Sequence, residues 1–209
     1  MDITTAPATA PSTDSPAGGP GLPDGLTLTP GRWELDTNHS SVGFAIRHLG
    51  VSKVRGAFRD VSAELVIDGP GEAGRLEVEV ALASVDTGNA DRDAHVRTAD
   101  LLDVAVRPTM RFVATGVRGD QDRFDLSGDL TIGEVTQPVT FDVEFGGLEA
   151  FPADGRRHAG FEATGEIRRS DFGLDGGLLA GTFLGDVVKV ELDVQFVEPA
   201  VGPAVDPAA

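Results

Sequence analysis

Alternation with a period of two constrains this chain more than any other feature. In "SVGFAIRH", Val42, Phe44, Ile46 and His48 fall on one side of an extended backbone, and Ser41, Gly43, Ala45 and Arg47 on the other. The pattern recurs at Val61, Ala63, Leu65 and Ile67, and at Leu76, Val78, Val80 and Leu82. Met110, Phe112 and Ala114 continue it, followed by Phe124, Leu126, Gly128, Leu130 and Ile132. After a turn read at "GEVTQP" come Val139, Phe141, Val143 and Phe145, then Phe161, Ala163, Gly165 and Ile167, and last Val188, Val190, Leu192, Val194 and Phe196. Each segment carries polar residues on its other face. Half-wet strands belong to antiparallel sheets; the strands of doubly wound parallel sheets are apolar on both sides. About eight such segments separated by Gly, Asp and Pro turns predict a closed up-and-down barrel or a sandwich.

One segment departs from the alternation. "NADRDAHVRTADLLD", Asn89 to Asp103, predicts a short helix over one barrel opening, with Asp91 and Asp93 placed to pair with His95 and Arg97 and with Ala94, Leu101 and Leu102 toward the sheet. Residues 1–30 and 199–209 are rich in Pro, Ala, Ser, Thr and Gly, so they are read as disordered tails around a single domain, residues 31–198. The N-terminus begins with an acid and has neither the basic nor the apolar region of a secretory signal, so a cytoplasmic location is expected. No apolar run is long enough to span a membrane as a helix.

The absence of cysteine removes disulfides, thiolate nucleophiles and Cys-ligated metals. The formal net charge is -17, and such a field repels nucleic acid and anionic lipid surfaces. Screening confines each charge to about 8 Å, which leaves room for local exceptions. One stands out: from Asn38 to Arg59 the chain has Arg47, Lys53, Arg55 and Arg59 and no acid. Parity sets Lys53, Arg55 and Arg59 opposite Val54 and Phe58, so they are expected on a solvated outer face or a dimer contact, unless a bulge at Gly50 or Gly56 re-aims one of them toward a ligand head group.

Periodicity alone leaves open what the apolar face encloses. A ring of about eight strands has an interior that side chains just fill or that holds one small ligand. Large inward residues alternate here with Gly56, Ala63, Ala114, Gly128, Ala163 and Gly165, which read as gaps.

Four blocks, in order and spacing, resemble the YceI-like family of polyisoprenoid-binding proteins: "GRWELDTNHSSVGFAIRHLGVSKVRGAF", "DTGNADRDAHVRTADLLDVAVRPTMRF", "LSGDLTIGEVTQPVTF" and "RRSDFGL". They run from Gly31 to Leu174, and the closing strand to Val197 fits as well. Leu102 departs from the pattern, standing where an aromatic is common, and the residues before the barrel do not read as a signal sequence, unlike those of periplasmic relatives. The resemblance implies an all-β, extended antiparallel eight-stranded lipocalin-like barrel whose apolar pore holds an isoprenoid lipid, a binder rather than an enzyme, commonly a homodimer, with no cofactor.

On that reading Phe44, Ile46, Phe58, Phe112, Phe141 and Phe161 line the pore. His48 and Arg92 stand at its mouth, Phe172 closes it, and Phe183 lies in an apolar gate, Asp175 to Gly185. The cargo would be a polyprenyl phosphate or an isoprenoid quinone. Two other readings remain: a stress-related interaction protein with a filled core, and an enzyme acting on an isoprenoid lipid. For the latter, no nucleophile and base stand at motif spacing, and His39, His48, His95 and His158 have no metal-site spacing. Arg92, Asp93 and His95 read more plainly as an ion-pair and capping network pinning the helix.

Overall fold

The structure, a computed structural model, describes residues 20–69, 74–174, 176 and 183–200. Its strands are β1 (Gly31–Leu35), β2 (Ser41–His48), β3 (Ser52–Phe58), β4 (Val61–Ile67), β5 (Gly74–Ala81), β6 (Val85–Asp86), β7 (Thr109–Gly119), β8 (Arg123–Ile132), β9 (Val135–Ala150), β10 (Arg157–Arg168) and β11 (Leu184–Val197), with one helix, α1 (Ala90–Val96). Three pairs are interrupted staves of single long strands: β1 continues into β2, β3 into β4, and β5 into β6. The registers show it. β1 pairs with β4 and β2 with β3, while β11 pairs with both β2 and the end of β1. Counted as staves, the sheet is a closed antiparallel barrel of eight, each stave beside its neighbour in sequence.

Sequence parity maps onto inside and outside along the staves and shifts at bulges, as between Ala114 and Gly116, where Ala114 and Val117 both face in. Val78 lies across from Phe112, Phe112 from Leu130, and Phe161 from Val194, all facing in. The outer face carries cross-strand ion pairs such as Arg111–Glu77 at 2.6 Å and Arg123–Glu144 at 2.7 Å. The turn between β8 and β9 is shorter than expected. Gly133 (φ +61°) and Glu134 alone reverse the chain, and Val135 to Pro138 already pair with Ile132 to Asp129.

The helix also ends sooner than its composition implies. Asn89 caps it by accepting from the Arg92 amide at 2.9 Å, but Thr98 Oγ1 donates to the His95 carbonyl at 2.8 Å and draws the chain into turns. The expected i, i+4 ion pairs do not form. Asp93 accepts from Thr87 N and Oγ1, Arg97 donates to the Ala83 and Val85 carbonyls, and His95 lies 3.6 Å from Asp100. Ala94 is exposed; buried Asp93 takes the inward place.

Residues 20–30 correct the expected domain start. Leu28 is 2 % exposed and Leu26 is buried beside Trp33, Ile67, Ala159 and Phe196. Backbone hydrogen bonds fasten this strap across one barrel end: Gly74 N donates to Pro20 O and Asp24 N to Gly119 O. Three leucines in a Pro- and Gly-rich stretch suffice once a matching apolar floor exists, which composition could not reveal. Trp33 Nε1 donates to Thr29 O at 2.9 Å, satisfying the polar atom of a fully buried ring.

The strap is tied electrostatically as well. Glu198, just past β11, accepts from Arg157 Nη2 at 2.6 Å, from the Arg157 amide at 3.1 Å, and from Thr29 Oγ1. The Arg157 guanidinium above all, then the Thr29 hydroxyl, holds the Glu198 carboxyl at about 2. A carboxylate lowered on folding stabilises above its unfolded value near 4.5 and loses that contribution as pH falls toward 2. Urea unfolding at pH 7 and pH 3 should therefore show Glu198→Gln to be less stable than the parent at pH 7, by on the order of 1 kcal/mol given the solvent-accessible arginine, and the difference should shrink at pH 3.

The inward glycines are not gaps. A Cβ on Gly56 would stand 2.6 Å from the Phe44 ring, one on Gly128 2.3 Å from Phe112, and one on Gly165 2.6 Å from Phe141. Each glycine is the seat of a neighbouring ring. Gly128→Ala and Gly165→Ala should each cost about 1–3 kcal/mol in denaturant unfolding. Gly160→Ala, where a Cβ meets nothing within 4 Å, should stay within about 0.5 kcal/mol of the parent.

Candidate functional site: an apolar hollow inside the barrel

Inside the ring lies a hollow of about 1530 Å³. Its floor is the strapped end, sealed by Trp33, Leu28, Ile67 and Ala159, each nearly or fully buried. At the opposite end one side is also packed solid. There Leu82 and Phe172, at 1 % and 2 % exposed, meet Ile132 and Leu174 beneath the Arg169–Phe172 3-10 turn.

The other side of that end is open. β3 pairs with β6 through Ala57 and Phe58 only, so residues 52–56 form an edge, and α1 stands across the gap. Polar residues gather at this mouth: His48 from β2, Lys53 and Arg55 from β3, and Asp91, Arg92 and His95 from the helix. A second polar stretch of wall, Thr37, Asn38, Ser40 and Arg59, lies where two neighbouring staves are interrupted together.

Phe44, Ile46, Phe58, Phe112, Phe141 and Phe161 all face the hollow, with Phe44–Phe58 and Phe112–Phe141 ring centroids each 5.5 Å apart. His48 and Phe183 stand at the mouth, Phe183 being 42 % exposed. Arg92 lines the hollow too, but its guanidinium is engaged: Nε donates to Thr87 Oγ1 at 2.6 Å and Nη2 to Thr87 O at 2.8 Å. Asp93 holds the same Thr87, so the "RDAH" block is a capping network that fixes the helix over the gap.

Phe172 does not border the hollow. It is buried in the packed half of the barrel end, where the 3-10 turn folds it inward. Of the gate expected at Asp175 to Gly185, residues 175 and 177–182 lie outside the described residues.

Two contributions escape a reading by period. Leu22, Leu26 and Leu28 border the floor from a segment with no alternation, and their only signal is leucine at close spacing among prolines and glycines. Arg169 is the other. It borders the hollow at 9 % exposure, donates Nε to Gly185 O at 3.0 Å and Nη1 to Leu174 O, and has no carboxylate partner among the described residues. A buried cation satisfied only by carbonyls retains donor capacity for an oxygen-rich group.

What the arrangement can do is enclose an apolar chain. Val42, Val54, Val78, Val190 and Leu192 face inward yet are only partly buried, and the surface they still present is the wall of the hollow. Among the described residues no group of three or more His, Asp or Glu gathers as a metal site, and no helix is long and apolar enough to cross a membrane.

Comparison with known proteins agrees with this geometry. The YceI-like domain model matches residues 33–196. Protein YceI of Escherichia coli O157:H7 is 41 % identical over 142 residues, covering 68 % of this chain and 74 % of that protein. A UPF0312 protein of Azotobacter vinelandii is 42 % identical over 143 residues, with the same shares covered. The crystal structure of the Campylobacter jejuni YceI protein superposes with a TM-score of 0.64 at 31 % identity, over 73 % of this chain and 90 % of that one. A polyisoprenoid binding domain from Saccharophagus degradans, implicated in plant cell wall breakdown, shares the fold at a TM-score of 0.61 and 16 % identity, over 80 % and 98 % of the two chains. From Trp33 at the floor to Phe196 on the closing strand, every stave of the barrel contributes to the matched region, and the chain belongs to the YceI-like family.

Proposed function

We propose that this protein binds an isoprenoid lipid, a polyprenyl phosphate or an isoprenoid quinone, and sequesters or carries it with the chain inside the barrel. The observation that carries the reading is the hollow itself: about 1530 Å³ of apolar space, floored at one end, open at the other and walled by partly buried aliphatic and aromatic side chains. Compact drug-like ligands fill roughly 300–1,000 Å³, so this space suits something longer. Each buried CH₂ contributes about 0.8 kcal/mol, which gives a prenyl chain of a few units ample reason to leave water. A structural neighbour that is a polyisoprenoid binding domain supports the same cargo.

The polar end of the lipid would remain at the mouth. There His48 and the Thr87-anchored Arg92 form the rim, and Arg169 offers further donors to a phosphate or quinone oxygen. The packed-core reading is disfavoured by the same hollow. Metal-assisted turnover of the lipid has no support from a metal cluster among the described residues.

Mass spectrometry of an organic extract of the protein purified from its native host should find near-stoichiometric lipid bearing a prenyl chain. Straight-chain fatty acids alone, or no lipid, would contradict the proposal. Ala63 borders the hollow beside the floor cluster and is only partly buried, so a larger side chain there takes up part of the space the lipid would fill. Ala63→Phe should lower retained lipid at least tenfold, measured on the same extract, while the unfolding midpoint stays near that of the parent. A filled interior would give the opposite pair of results: destabilisation by overpacking and no change in lipid.

A further inference from the structure

The β2–β3 hairpin carries features that the hollow does not require. Its turn runs from His48 to Val51, closed by Val51 N donating to His48 O, with Leu49 at φ +54° and Gly50 at φ +72°. Left-handed turn positions favour Gly, Asn or Asp, and a leucine there bears a conformational cost. Leu49 is nevertheless 54 % exposed and Val51 81 % exposed. Phe183, itself 42 % exposed, joins them, since Leu49 N donates to Phe183 O at 2.7 Å. Three large apolar side chains thus protrude together beside the mouth of the hollow.

The charges flanking this tip are equally unusual. Arg47 and Lys53 lie directly across from each other in the hairpin, and Arg55 follows two residues on, with Lys53 and Arg55 at the rim of the mouth. Like charges directly opposite are destabilising. All three are exposed, and none is in an ion pair among the described residues, although the protein's net charge is -17. Elsewhere on the outer wall Arg75, Arg111, Arg123, Arg168 and Lys189 each meet a carboxylate. Of the acids at the mouth, Asp100 lies against His95 and Asp186 against Arg168 and Ser170, while Asp91 is exposed and in no ion pair among the described residues.

We infer that this hairpin is a docking element for an anionic lipid bilayer: Leu49, Val51 and Phe183 enter the headgroup boundary, and Arg47, Lys53 and Arg55 meet anionic headgroups. The inference rests on the proposed lipid cargo for its purpose, because docking here would bring the open end of the hollow to the membrane that supplies or receives the chain. A cation on an edge strand also discourages strand addition. That role accounts for Lys53 and Arg55 but needs no exposed leucine and valine, and it implies no response to membrane charge. The overall negative charge does not forbid contact, because fields decay within about 8–10 Å and the hairpin tip leads.

The test is co-sedimentation of the intact chain with phosphatidylcholine vesicles prepared with and without phosphatidylglycerol. Binding should require phosphatidylglycerol and weaken as salt rises from about 0.1 M to about 1 M. Each cation near an anionic surface is worth roughly a fivefold change in binding, so the triple variant Arg47→Gln, Lys53→Gln, Arg55→Gln should bind about 100-fold more weakly. Leu49→Ser with Val51→Ser should also lose binding while leaving every charge in place. Circular-dichroism melts of both variants confirm that the barrel is intact. Equal binding to the two vesicle types, or unchanged binding of the triple variant, overturns the inference. Cargo is read separately from the organic extract, so a barrel that docks but carries no lipid defeats the proposed function alone, and a loaded barrel indifferent to phosphatidylglycerol defeats docking alone.

Discussion

Hydrogen bonding between neighbouring staves sets the circumference of a closed barrel, and the side chains inside have no say in it. Once eight staves close, the interior has a given width, and the sequence can only choose how to occupy it. This chain fills the strapped end with Trp33, Ile67 and Ala159, fills half of the other with Leu82 and Phe172, and lines the middle with aliphatic side chains and with phenylalanine rings laid against the wall. The hollow follows from that distribution. Glycines at positions 56, 128 and 165 do not create it; they let Phe44, Phe112 and Phe141 lie flat against the wall, so the rings surround the space rather than cross it.

Closure at the floor depends on contacts remote in sequence. The strap meets the start of β5, the end of β7 and the Arg157–Glu198 pair, which joins β10 to the residue after β11. Its stability is therefore coupled to the barrel's own closure. At the mouth the construction differs: an edge strand, a short capped helix and Thr87 held by Arg92 and Asp93. The sealed end is made of large buried side chains, the open end of polar contacts at the surface.

Much of this is local information and so is legible in the sequence. Alternation is a property of consecutive residues, and it placed Val78, Phe112, Leu130, Phe141 and Val190 on the inner face correctly. What it could not convey is anything decided across the ring. Leu26 and Leu28 look like tail residues until Trp33 and Phe196 are seen beneath them. Gly128 looks like a gap until the Phe112 ring is found lying over it. The helix between Asn89 and Asp103 was shortened by the Thr98 hydroxyl, while Arg97 and Asp93 preferred partners outside the helix to their i, i+4 neighbours. Phe172, expected to close the pore, is buried instead in the packed half of the barrel end, because a 3-10 turn redirects it after the strand parity ends.

The central claim is an enclosed apolar space of finite length, and graded ligands measure it most directly. Equilibrium binding of prenyl alcohols that differ by one isoprene unit should tighten with each unit, by at least tenfold at first from the burial of its carbon atoms, and then level off when the chain reaches the floor beneath Trp33 and Leu28. Affinity that is the same for short and long chains, or that keeps rising with no plateau, would contradict a closed hollow.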